Sequence, residues 1–262
     1  METSAQSSFP ASGLTKREGL RRNHLRILVV LVVLALAFGG VDVWLILRHN
    51  SSSAGAVNSG PRPTGIPAAV STKTANLMAL APVPPRAEPG FRLVDQHSRA
   101  LSLSDLRGKV VVLEFMDPHC TDICPLVAQE FVDAYHDLGT KAKDVVFAAV
   151  NVNQYFEAPR YMMAFTREHG LSTIPDWHFF TGSTLQLKAV WRDYSIAVSA
   201  PNPKGDIIHT SLIYFINSHG LERYLAQPTV DHTSAGTAFL PAPTLKEWGS
   251  GIATVAESLL RH

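Results

Sequence analysis

Cys120 and Cys124 are the only cysteines in the chain, and they stand four residues apart in Cys120-Thr121-Asp122-Ile123-Cys124-Pro125. Thiolates bind soft metals and attack disulfides, so two thiols at this spacing can hold an ion together or work as a dithiol–disulfide couple. A purely structural bridge uses them poorly, because the stabilisation from a cross-link shrinks with the loop it closes. Metal ligation and redox exchange both remain open on these residues alone.

Either chemistry needs the thiols held in place, and the flanking residues indicate how. Val110-Val111-Val112-Leu113-Glu114-Phe115 reads as a buried strand leading into the cysteines. Proline suits the first turn of a helix, where no N–H is needed, so Pro125 opens a helix through about Leu138. Both thiols then lie at a helix N-terminus, where the peptide dipoles favour the thiolate. Further strands are expected at Phe91–Val94, Val145–Val150, His178–Phe180, Ser211–Ile216 and Leu221–Leu225. Helices are expected at Ala158–His169, Thr184–Tyr194 and Thr244–Leu260. Asn217-Ser218-His219-Gly220 has the composition of a hairpin connection, which makes the last two strands antiparallel. The alternation predicts an α/β domain over residues 91–262, a mixed sheet flanked by helices.

The N-terminal third reads differently. Residues 27–47 are almost wholly apolar and long enough to cross a bilayer. Lys16, Arg17, Arg21, Arg22 and Arg26 precede them, whereas Arg48 alone follows closely, so residues 1–26 are expected inside the cytoplasm and the rest outside. Cleavage after Ala35-Leu36-Ala37 is the alternative, and it exports the domain equally. The Pro, Ser and Ala-rich residues 48–90 read as a flexible tether. A formal net charge of +1 and no basic stripe in the exported part argue against nucleic acid as a partner.

The run Phe115-Met116-Asp117-Pro118-His119-Cys120-Thr121-Asp122-Ile123-Cys124-Pro125 resembles the cysteine loop of Sco/SenC copper chaperones, which have a thioredoxin-like fold. Asp176-Trp177-His178-Phe179-Phe180 and Asp206-Ile207-Ile208-His209-Thr210-Ser211 also resemble segments of that family, the second being the one that carries its metal-binding histidine. The resemblance implies a copper site of Cys120, Cys124 and His209, with copper as Cu(I) and also as Cu(II). Thiolate and imidazole suit copper(I), and a trio is short of the four ligands of a structural zinc site. The implied function is a membrane-anchored metallochaperone that delivers copper to the copper-binding subunit of cytochrome c oxidase during its assembly. It sits in the bacterial cytoplasmic membrane, or alternatively in the mitochondrial inner membrane.

The same thiols support a second reading, a thiol-disulfide oxidoreductase in which Cys120 and Cys124 are the catalytic pair and a thioredoxin-like protein is the reductant. Thr121, where the family often has proline, and the Pro201-Asn202-Pro203 turn depart from the family pattern. His119 is read as a neighbour that tunes the thiolates, Asp117 and Asp122 as turn or cap residues, and Trp177 as a strand organiser able to contact a partner. His136, His169, His178, His219 and His232 are scattered along the chain and define no metal cluster.

Overall fold

A computed structural model describes residues 60–205 and 207–260. In chain order the elements are α1 (Thr72–Leu77), β1 (Ala81–Ala87), β2 (Arg92–Val94), β3 (Ala100–Ser102), β4 (Val110–Met116), α2 (Ile123–Leu138) and β5 (Val145–Asn151). There follow α3 (Pro159–Glu168), β6 (Trp177–Phe180), α4 (Thr184–Asp193), β7 (Val198–Ser199), β8 (Ile208–His209) and β9 (Ile213–Ile216). The last are β10 (Leu221–Ala226), β11 (Asp231–His232), β12 (Ala238–Phe239) and α5 (Ala242–Leu259).

Six strands form one mixed sheet in the order β1-β10-β9-β4-β5-β6. Central β4 and β5 run parallel and are buried at every position, as expected of strands covered on both faces. Side chains alternate across β4. Val110, Val112 and Met116 join α2, α3 and α5 in one core layer, whereas Val111, Leu113 and Phe115 join α4 and β2 in the other. Strands β9 and β10 are antiparallel, and Gly220 turns between them with φ +75°, a conformation glycine adopts without strain.

Helix α2 buries Val127, Ala128, Phe131, Ala134 and Leu138, a helical stripe that docks it on the sheet and fixes its N-terminus beside the end of β4. Helix α5 packs closely along it. A Cβ at Gly249 would lie 2.5 Å from the Asp133 Cβ, so glycine there permits the approach.

The expected strands and helices are present within a few residues of their predicted limits. Helix α2 starts at Ile123, two residues before Pro125, because a proline anywhere in the first turn costs no hydrogen bond. The expected tether differs more. Residues 72–87 within it form α1 and β1, and Val70, Ala75, Met78 and Leu80 enter the core. Their prolines, Pro82, Pro84 and Pro85, lie on the sheet edge where the register with β10 is irregular, a setting in which a strand tolerates them. The expected membrane span at residues 27–47 lies outside the described residues; among the described residues no helix is long and apolar enough to cross a membrane.

Candidate functional site

The cysteine loop is the crossing from β4 into α2. Asp117, 6 % exposed, organises it: its Oδ1 accepts the His119 N–H at 2.8 Å and Asn153 Nδ2 at 2.9 Å, and its carbonyl accepts the Cys120 N–H at 3.1 Å. This is a carboxylate closing a turn on its own backbone, as expected for an Asx residue. Cys120 is half-buried and Cys124, inside the first turn of α2, is buried; both thiols are free.

The Cys124 N–H, one of the unpaired donors of the helix start, points at Cys120 Sγ at 3.4 Å. A hydrogen bond from the Cys124 thiol, with the backbone N–H groups of Cys124 and Asp122, brings the Cys120 thiol down to about 7. Its bond to Cys120, followed by burial, pushes the Cys124 thiol well above its ordinary range. The pair is therefore asymmetric: an accessible sulfur that ionises readily sits over a buried one that keeps its proton.

His209 arrives from far along the chain. Its strand is tied back to the chain before β7 by Thr210 N–H to the Ala197 carbonyl, 3.0 Å, and by Ala197 N–H to Thr210 Oγ1, 3.2 Å. Val198 pairs with His209 across the β7–β8 ribbon. The imidazole Nδ1 lies 2.9 Å from the Thr210 carbonyl, which only accepts, so Nδ1 carries the proton and Nε2 keeps a lone pair. Burial lowers the His209 pKa and so favours the neutral, ligating form.

His209 and Cys120 line the same cleft, of ≈ 890 Å³, together with Asp117, His119, Asp122 and His232. Cys124 lies just beneath. The fold thus brings the two sulfurs together and His209 to their cleft; among the described residues, however, no three His, Cys, Asp or Glu side chains are already gathered around one point as a closed metal cage. By ligand type, two sulfurs and one imidazole lone pair fit a soft monovalent copper better than a hard cation.

Glu114 is a feature the sequence reading missed. It faces the α2 layer from β4 and is 1 % exposed; Ser211 Oγ donates to its Oε1 at 2.9 Å, while its Oε2 has no partner. Burial raises this carboxyl to about 8. A carboxyl raised on folding stabilises most below its unfolded value, near 4.5, and that contribution is lost as pH rises through about 8. Glu114→Gln is accordingly expected to gain on the order of 3 kcal/mol relative to the parent between pH 5 and 8. Urea unfolding at both pH values checks this, and parallel stability–pH curves would contradict it. Its only sequence signal was a lone acid in an apolar strand.

Other expectations change. His119 packs against Phe156, with ring centroids 3.9 Å apart and planes tilted by 42°, and flanks the cleft as a neighbour of Cys120. Asp122 makes no capping bond; its Oδ1 accepts from His232 Nε2 at 2.8 Å. Trp177 is 3 % exposed and donates from Nε1 to Thr166 Oγ1 at 2.9 Å, so it organises its strand and offers nothing to a partner. His232, one of the scattered histidines, proves to line the cleft.

The SCO1/SenC family pattern matches residues 81–236 of the chain. The SCO1 protein homolog of Bacillus subtilis is 26% identical over 133 residues, 50% of this chain and 68% of that protein. The mitochondrial protein SCO2 homolog of Homo sapiens is 32% identical over 143 residues, 50% of each chain. The matches thus span between half and about two thirds of these relatives. Among solved structures, copper-bound ScoI of Bradyrhizobium japonicum has a TM-score of 0.51 at 22% identity, covering 67% of this chain and 100% of that one. Copper-bound ScoI of Arabidopsis thaliana has a TM-score of 0.53 at 18% identity, covering 66% and 99%. These two likenesses establish a shared thioredoxin-like fold.

Proposed function

The chain belongs to the SCO1/SenC family, and from that premise we propose that it is a membrane-anchored copper metallochaperone serving assembly of a respiratory cytochrome c oxidase. The observation that carries the reading is the convergence of Cys120 and His209 on one cleft with Cys124 directly beneath. Cys120 and Cys124 supply thiolates and His209 supplies Nε2; copper is the cargo, and it leaves by exchange of these ligands for those of the oxidase's copper-binding subunit. Copper-bound relatives of the same fold support the cargo. The run of apolar residues 27–47 supports the anchor, and the basic residues before it support an inside N-terminus. In a cysteine-free background, a bilayer-impermeant thiol probe is expected to label a cysteine introduced at Ser53 and not one at Ser4; the reverse pattern overturns the topology.

A thiol-disulfide exchange role is the second reading, favoured by the asymmetry of the pair. Cys120, near 7, is suited to attack a target disulfide, and buried Cys124 to resolve the mixed disulfide. An anaerobic titration of the reduced chain with Cu(I) against a chromophoric chelator, run beside an assay of disulfide reduction in the oxidase subunit, separates the two. Saturation at one copper per chain with transfer to the subunit supports the chaperone. Reduction of the subunit without copper, and no competitive copper binding, would make the oxidoreductase the better account.

A further inference from the structure

His232 has no part in the three-ligand site, yet it lines the same cleft and its ring is oriented by a carboxylate. Strands β11 and β12 form a hairpin in which His232 pairs with Ala238. Its turn is closed by the Thr233 and Thr237 backbones at 2.9 Å, with Gly236 at φ +80°. The hairpin sets His232 on the wall of the cleft that also holds Cys120 and His209. Its Nε2 lies 2.8 Å from Asp122 Oδ1. A carboxylate accepts, so Nε2 carries the proton, and in the neutral ring Nδ1 keeps its lone pair.

His209 is arranged the same way with the nitrogens exchanged, its Nδ1–H committed to Thr210 and its Nε2 free. A metal-binding histidine is commonly oriented by such a bond from its other ring nitrogen to a carboxylate or carbonyl. The cleft therefore holds two imidazoles, each with one N–H tied off and one lone pair available. His119, the third imidazole there, lies instead against the Phe156 and Tyr161 rings, its plane tilted 42° to the first.

Copper(I) is satisfied by few, soft ligands, whereas copper(II) favours four-coordinate tetragonal sets richer in nitrogen. Cys120, Cys124 and His209 leave such a set one ligand short. We propose that His232, carried by the β11–β12 hairpin, is the fourth ligand of copper(II) through Nδ1, and that Asp122 orients it. The proposal rests on the copper reading above and assigns the hairpin a role in distinguishing the two oxidation states. Because His232 is exposed and stands on a ribbon of two short strands, it can close on an ion without rearranging the core.

The test uses the reduced full chain in detergent, loaded anaerobically with one equivalent of Cu(II) and frozen at once for continuous-wave and pulsed electron paramagnetic resonance. Two coupled imidazoles are expected in the parent and one in His232→Ala, with loss of Cu(II) to EDTA about tenfold faster in the variant. His232→Gln retains a donor for Asp122 and lacks the Nδ1 lone pair, so it is expected to behave like the alanine variant. Two coupled imidazoles in either His232 variant, a single one in the parent, or a parent that retains copper without a Cu(II) signal would each overturn the assignment. His209→Ala keeps the questions apart: if it matches the parent spectrum, the three-ligand reading fails as well, whereas loss of one imidazole there with no change at His232 defeats only the present inference.

Discussion

His209→Ala is expected to weaken Cu(I) binding on the order of 100-fold, about 2.7 kcal/mol, while leaving a folded chain that still forms the Cys120–Cys124 disulfide. The loss is large because Nε2 is the one imidazole lone pair in the proposed set, held toward it by the Nδ1–H bond to Thr210. The fold is spared because His209 lies half-buried in a two-residue ribbon strand, outside both core layers. Neither sulfur depends on it for position: Cys120 is held by the Asp117 turn and Cys124 by the first turn of α2. Chelator competition gives the affinity, circular dichroism the fold, and thiol counting after mild oxidation the disulfide. Affinity within twofold of the parent would remove His209 from the site. A loss of affinity accompanied by unfolding would show that the residue is structural.

Oxidation of Cys120 and Cys124 to a disulfide is expected to abolish stoichiometric Cu(I) loading, and a thiol reductant to restore it fully. Both proposed thiolates are consumed in one bond, and imidazoles without a thiolate cannot retain copper(I) against a competing chelator. The reduced pair carries a pH signature as well. Cys120 is near 7 and Cys124 is held well above its ordinary range, so at neutral pH the ion must displace at least the Cys124 proton. Apparent affinity is then expected to rise as pH increases from 6 to 8, more steeply below about 7, where the ion displaces a proton from each thiol, than above it, where only the Cys124 proton is displaced. Metal analysis after desalting, paired with thiol counts on the same sample, decides the first point, and chelator competition across pH decides the second. Equal loading of the fully oxidised chain would eliminate the thiolates as ligands.

The order of elements was readable because the central strands are buried on both faces and so are continuously apolar, and because helix α2 shows its apolar stripe and its proline near the start. Composition misled at residues 72–87. Proline-rich sequence resembles a tether, and only a partner strand reveals that Pro82, Pro84 and Pro85 occupy a sheet edge where their missing N–H groups are not needed. Likewise, Glu114 in an apolar run signals an unusual acid, but its unpartnered oxygen and raised pKa are consequences of burial between layers.

The cysteine pair, its place after a strand and at a helix start, and the two chemistries open to it were determined by sequence alone, because four-residue spacing is local and the helix signals lie beside it. Tertiary structure decided what stands around that pair. It made the two thiols unequal, because only Cys124 is carried into the core by α2. It brought His209 from 85 positions beyond Cys124 and His232 from 108 beyond to the walls of one cleft. His209 was named as a ligand only through the likeness of its segment to the family's and His232 not at all, since each approach depends on where a ribbon projects from a sheet whose neighbouring strands are far apart in the chain.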